Sequence, residues 1–132
     1  MNTDIKPEAR SRLLYGDVTE KVLSAAFQVL NTLGTGFLEK VYERALSLEL
    51  AKNGCKVDNQ KLFHVAYEGT IVGDYLADIV VDGKVIVECK AVSLLDPIHD
   101  AQIMNYLKAS GVRVGLLINF GRSKLQYKRL VV

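Results

Sequence analysis

Asp78 and the triplet Glu88-Cys89-Lys90 set two carboxylates and a lysine into a stretch, residues 77–90, otherwise built of Ile and Val around an Asp82-Gly83 turn. Charge is costly to bury there without a partner or a metal. Two carboxylates converging on one point repel each other unless a proton or a divalent cation lies between them. A hard cation held by one or two carboxylates, its shell completed by water, is a usual arrangement for magnesium in phosphate chemistry. A nearby lysine then steadies developing negative charge, while the metal acidifies the attacking water. On spacing alone the same residues also fit a plainer role, as solvent-side positions of an edge strand.

Side chains alternate along a strand, so Glu88 and Lys90 share a face and Cys89 points the other way. Whether Asp78 joins them depends on the turn. A two-residue turn pairs Val81 with Lys84 and puts Asp78 and Glu88 on opposite faces. A three-residue loop, Val81-Asp82-Gly83, pairs Val80 with Lys84 and Asp78 with Ile86, setting Asp78 diagonal to Glu88 on one face.

The elements that must position these groups are readable from periodicity. Asp17, with Glu20 three residues on, reads as a helix N-cap and capping box. Val18, Val22, Ala25, Ala26, Val29 and Leu33 follow at helical spacing as far as Gly34. After the Gly34-Thr35-Gly36 junction, Leu38, Val41, Ala45 and Leu48 form a second stripe that ends at Asn53-Gly54. Glu39, Tyr42 and Glu43 sit beside it on one face, with Glu39 near the helix N-terminus, where the macrodipole favours an anion. Strands are expected over 61–67, 70–81 and 84–91 as an antiparallel meander, with Gly73 marking a bulge or bend. Asp96-Pro97 opens a third helix that stops near Ser110-Gly111 and carries His99, Gln102 and Tyr106 on one face. Strands over 112–119 and 125–131 close the chain. A lone imidazole such as His99 is more often a capping or surface residue than a catalyst, and spacing assigns His64 no partner. Gln102 and Tyr106 fit either a phosphate or base contact or the polar edge of an amphipathic helix.

At 132 residues the chain has room for one compact domain, expected over residues 16–132 behind a polar leading segment, 1–15. Seventeen Lys and Arg against fifteen Asp and Glu leave a net charge of +2, too little for wholesale wrapping by a polyanion. Any such surface is local; Arg113, Arg122, Lys124, Lys128 and Arg129 are the nearest thing to a basic cluster, and ordinary solvated charge accounts for them as well. Cys55 and Cys89 form no CxxC or Cys/His motif, so neither a disulfide framework nor a zinc site is indicated. With no basic segment leading into an apolar run, and no apolar stretch near the ~18 residues of a membrane span, the expectation is a cytoplasmic protein without membrane contact.

Asp78 followed by Glu88-x-Lys90 in a hairpin, after a helix bearing Glu39, resembles the PD-(D/E)XK nuclease superfamily. Gly36-Phe-Leu-Glu39-Lys-Val-Tyr42 looks like the signature of its small GxxExxY family. The likeness runs from about Leu14 to Leu130, through Gly73-Asp-Tyr-Leu-Ala-Asp78, Ala101-Gln102 to Tyr106-Leu-Lys, and Gly115 to Gly121. It implies an α/β fold with a restriction-endonuclease-like core, a mixed β-sheet flanked by helices in the order ααβββαββ. It also implies Asp78 and Glu88 as metal ligands, Glu39 as the helix-borne acid of the same site, and Lys90 as the catalytic lysine. Gln102 and Tyr106 match a QxxxY element lining the active site in exonuclease-like branches, and Tyr42 belongs to the signature. The implied cofactor is Mg2+ or Mn2+ and the implied partner is nucleic acid, DNA or RNA. Two departures stand out: Leu30 where the family shows histidine, and Thr35 where proline is usual between the glycines. The superfamily also contains members that have lost catalysis, so a silent binding module is a second reading. A homodimer through apolar residues of the first helix or final strand is a third.

Overall fold

The computed structural model describes residues 13–132, so most of the expected leading segment, 1–15, lies outside the described residues. Helices α1 (Gly16–Leu33) and α2 (Glu39–Lys52) precede strands β1 (Val57–Tyr67), β2 (Thr70–Val81) and β3 (Val85–Lys90); α3 (Pro97–Ser110), β4 (Val114–Asn119) and β5 (Gln126–Val131) follow. The order is the expected ααβββαββ. The five strands form one mixed sheet in the order β1-β2-β3-β4-β5, antiparallel except where β3 and β4 run parallel. A parallel pair needs a long crossover, and α3 supplies it.

Every residue of β4, and all of β3 except half-buried Lys90, is buried. Helices cover both faces of these strands, which is why Val, Ile and Leu take seven of their twelve positions. On one face, Val22, Ala26 and Val29 of α1 and Tyr42, Leu46 and Leu50 of α2 meet Val87, Cys89, Leu116 and Ile118. The other face holds Ile86 and Leu107, with Ile103 against Leu117, under α3.

Two local expectations are corrected. The first helix is not capped by Asp17: it begins at Gly16 behind Tyr15 in the left-handed region, with no side-chain cap, and Asp17 sits in its first turn. β1 begins at Val57 rather than Lys61, because Val57, Asp58 and Asn59 already pair with Val81, Val80 and Ile79. The expected irregularity at Gly73 is present: Val65 pairs with Gly73 but Ala66 with Ile71, so Val72 is the extra residue. Before Ile79, β2 pairs only with β1, and this two-stranded arm leaves Leu62, Ile71, Val72 and Leu76 exposed.

Third-helix placement rests on Asn119, which is fully buried. Its Oδ1 accepts from the amides of Val92 (3.0 Å) and Gly121 (2.9 Å), and its Nδ2 donates to the Val92 carbonyl (2.9 Å) and to Gln126 Oε1 (3.1 Å). Gln126 Oε1 also accepts from the Leu95 amide at 3.1 Å. The loop leaving Lys90 is thereby pinned to the end of β4 before α3 starts. Gly121 is required there, since a Cβ would stand 2.2 Å from the Val92 oxygen.

Candidate active site

The β2–β3 hairpin settles the question of shared faces, by neither of the two registers expected. Asp82 and Gly83 both have positive φ, 53° and 66°, and the Lys84 amide donates to the Val81 carbonyl at 3.0 Å, as in a primed hairpin turn. Lys84 then stays outside the ladder, so Val81 pairs with Val85, Val80 with Ile86 and Ile79 with Val87. One step further in that register stands Asp78 opposite Glu88.

The ladder stops there. In place of a backbone partner, the Cys89 amide donates to Asp78 Oδ2 at 3.1 Å. The same position is irregular on the β1 side: Asn59 pairs with Ile79 and Lys61 with Ala77, while Gln60, at φ 50°, is left out opposite Asp78. Ala77 and Ile79 consequently pack into different cores although they are two residues apart. The strand rotates at Asp78, a bulge-like re-aiming of the kind found beside active sites.

Gln60 is held from α2. Its Nε2 donates to Glu43 Oε1 at 2.7 Å, and Lys40 Nζ lies 3.3 Å from Glu43 Oε2. Glu43, 5% exposed, is thus the buried acid of that helix. Glu39 is exposed at its first residue; it is close enough to add, with Asp78, Glu43 and Glu88, to the forces raising the Cys89 thiol pKa, of which burial is the largest. Among the described residues no three His, Cys, Asp or Glu side chains are grouped to hold one metal ion.

Glu88 is 8% exposed, and its pKa is pushed up to about 8, first by burial and then by the Asp78 charge. A side-chain hydrogen bond with Asp78 adds to the rise, while one from the Tyr75 hydroxyl to Glu88 Oε1 opposes it. At neutral pH the pair therefore holds a proton. Burial and the Glu88 charge in turn push the Tyr75 hydroxyl pKa upward, so Tyr75 remains a donor. Tyr106 of α3 stacks on the Tyr75 ring, centroids 3.5 Å apart, and Phe63 of β1 flanks the other contact at 6.3 Å. Tyr75, Glu88, Lys90, His99, Gln102 and Tyr106 line one cavity of about 130 Å³.

Four of the residues anticipated from sequence, Glu88, Lys90, Gln102 and Tyr106, therefore share that cavity, with Asp78 joined to Glu88. Tyr42 does not line it. It is fully buried in the core formed with α1, stacked on Phe120 at 4.8 Å, and its hydroxyl donates to the Gly34 carbonyl (2.6 Å) and accepts from the Phe37 amide (3.2 Å). These contacts tie down the glycine junction between α1 and α2. Tyr75 is the cavity residue that sequence reading missed. Regular alternation from Asp78 puts it on the opposite face, and only the rotation at Asp78 brings it round. The basic cluster near the C-terminus is largely engaged: Lys128 with Asp100 at 2.8 Å, Arg129 with the Leu14 carbonyl, and Arg113 with the Val132 carbonyl.

The model of a family described as the PD-(D/E)XK nuclease superfamily matches residues 16–130. The chain belongs to this superfamily. Nucleases of the superfamily generally use divalent metals. No curated protein matches the chain. A solved structure described as the crystal structure of SSO0001 is similar over 95% of this chain at 17% identity, with a TM-score of 0.55, a likeness of fold. This superfamily member spans 61% of the length of that protein. Among the described residues, its mixed five-stranded sheet with three helices is the restriction-endonuclease-like α/β core. Among the described residues no helix is long and apolar enough to cross a membrane.

Proposed function

We propose that this chain is a divalent-cation-dependent phosphodiesterase of the GxxExxY branch, hydrolysing DNA or RNA. The observation that carries the reading is the Asp78–Glu88 pair, two carboxyls brought together at the rotated end of a ladder, with one proton held at Glu88 and a single negative charge left on the pair. Such a pair suits a hard cation in place of that proton, because all its donor atoms are carboxylate oxygens. When bound, Mg2+ or Mn2+ supplies positive charge to phosphate oxygens and acidifies water. Asp78 and Glu88 would hold it.

The remaining work falls to groups the chain provides. Lys90, two residues from Glu88 on the same face, lines the cavity and offers a cationic donor to the phosphate. Gln102 adds an amide donor from α3. Tyr75 keeps Glu88 oriented by donating to one of its oxygens, leaving the other for a cation.

Purified protein incubated with fluorescent single- and double-stranded DNA and RNA is expected to cut at least one of them with Mg2+ or Mn2+. EDTA should abolish the products, and Lys90→Ala should slow them by about a hundred-fold or more. Absence of any cation-dependent product overturns the reading. It would favour a nuclease-fold module that binds nucleic acid or a protein without cutting.

A further inference from the structure

His99 occupies the third position of α3, where its ring completes a capping box: the Asp96 amide donates to His99 Nδ1 at 3.0 Å, while Asp96 Oδ1 accepts from the Ile98 amide at 3.0 Å. A backbone amide can only donate, so Nδ1 must present its lone pair. In the neutral ring the proton therefore sits on Nε2. The same ring lines the cavity with Glu88, Lys90 and Gln102. Gln102 is one helical turn further along α3, so both side chains approach the cavity from one helix face.

We propose that His99 is a substrate-contacting residue, whose Nε2–H donates to a non-bridging phosphate oxygen of the nucleic acid held beside Lys90. The proposal rests on reading the cavity as a phosphodiester site. The cap does the positioning. By engaging Nδ1 it fixes both the tautomer and the plane of the ring, so the donor is preorganised before substrate arrives. The cavity holds about 130 Å³, room for little more than a phosphate and its immediate substituents. Lys90 supplies charge in that space, and His99 and Gln102 supply directed neutral donors.

The roles of cap and contact can be separated by substitution. His99→Gln and His99→Glu retain a side-chain acceptor that suits this helix position, and should melt like the parent protein. Both lose the imidazole donor, and His99→Gln should lower kcat/KM for cleavage by about ten- to a hundred-fold, with the larger part in KM. His99→Ala should lose the cap as well and melt earlier. A purely structural His99 would leave the Gln variant fully active, which overturns the proposal. A readout independent of cleavage is the 15N spectrum of the His99 ring in the full chain, recorded with and without a phosphorothioate oligothymidylate in Ca2+. An unprotonated Nδ1, a protonated Nε2 and an Nε2 shift on adding the oligonucleotide are expected. A ring protonated at Nδ1 alone, or one whose Nε2 ignores the oligonucleotide, overturns the proposal even where the chain cuts nucleic acid. Those signatures without cleavage would leave it standing while the hydrolase reading fell.

Discussion

Replacing Glu88 by Gln should make the metal-free protein more stable at pH 9 while removing cation-dependent cleavage. Both effects follow from the same side chain. Glu88 is nearly buried, and burial followed by the Asp78 charge raises its pKa from 4.5 to about 8. Because the folded pKa lies above the unfolded one, the folded chain holds a proton that the unfolded chain releases between these values. The contribution to stability is complete below about 4.5 and is lost as pH rises through about 8. At stake is on the order of a few kcal/mol. Glutamine is neutral at every pH, can accept from Tyr75 through Oε1 and can donate to Asp78 through its amide, so it imitates protonated Glu88. Melting in EDTA should therefore match the parent near pH 5 and exceed it by at least about 5 °C near pH 9. Cleavage should fall by on the order of a thousand-fold, since the cation loses one of its two carboxylates. A Gln variant that melts earlier at pH 9, or that cuts normally, contradicts the account.

The second large effect is a pH-dependent affinity for Mn2+. A cation entering between Asp78 and Glu88 must displace their shared proton, so binding releases protons and weakens as pH falls. Below about pH 8 the affinity should drop by nearly ten-fold per unit, levelling off above that value. Calorimetry in two buffers of different ionisation heat should count close to one proton released per ion at pH 7. Asp78→Asn preserves an acceptor for the Cys89 amide, which Asp78 Oδ2 now meets at 3.1 Å, and so keeps the local backbone geometry. It should nevertheless weaken binding by about a hundred-fold, having removed half the charge of the site. Affinity independent of pH, or unchanged in Asp78→Asn, would mean that Mn2+ binds elsewhere.

Much of this architecture was legible in the sequence, and the parts that were not have a common physical cause. Helical stripes, the Asp96-Pro97 start and the order of elements depend on local chemistry, which the residues state directly. The parallel pairing of β3 with β4 was not legible from local pattern and entered only through the mixed sheet that the family resemblance implies. Register was not legible either, because Lys84 could join the strand or the loop, and only tertiary packing decides. The meeting of Asp78 with Glu88 was anticipated through the wrong loop: Lys84, not Val81, is the residue withdrawn from pairing. Tyr75 was hidden by the rotation at Asp78, to which Gln60 and Glu43 contribute from distant parts of the chain. Long-range contacts hid two other partnerships. His64 meets Asp74 across the β1–β2 arm at 2.6 Å, and Asn119 reaches back to Val92. Tyr42 misled in the opposite sense: a place beside Glu39 on one helix face suggested chemistry, whereas its hydroxyl serves the Gly34 turn.

Anomalous scattering from crystals soaked in Mn2+ at pH 8.5 tests the central claim most directly. The account predicts one strong peak about 2.0–2.6 Å from an oxygen of Asp78 and an oxygen of Glu88, open to the cavity lined by Lys90. A peak confined to other carboxylates, or none at a concentration that supports cleavage, would contradict it.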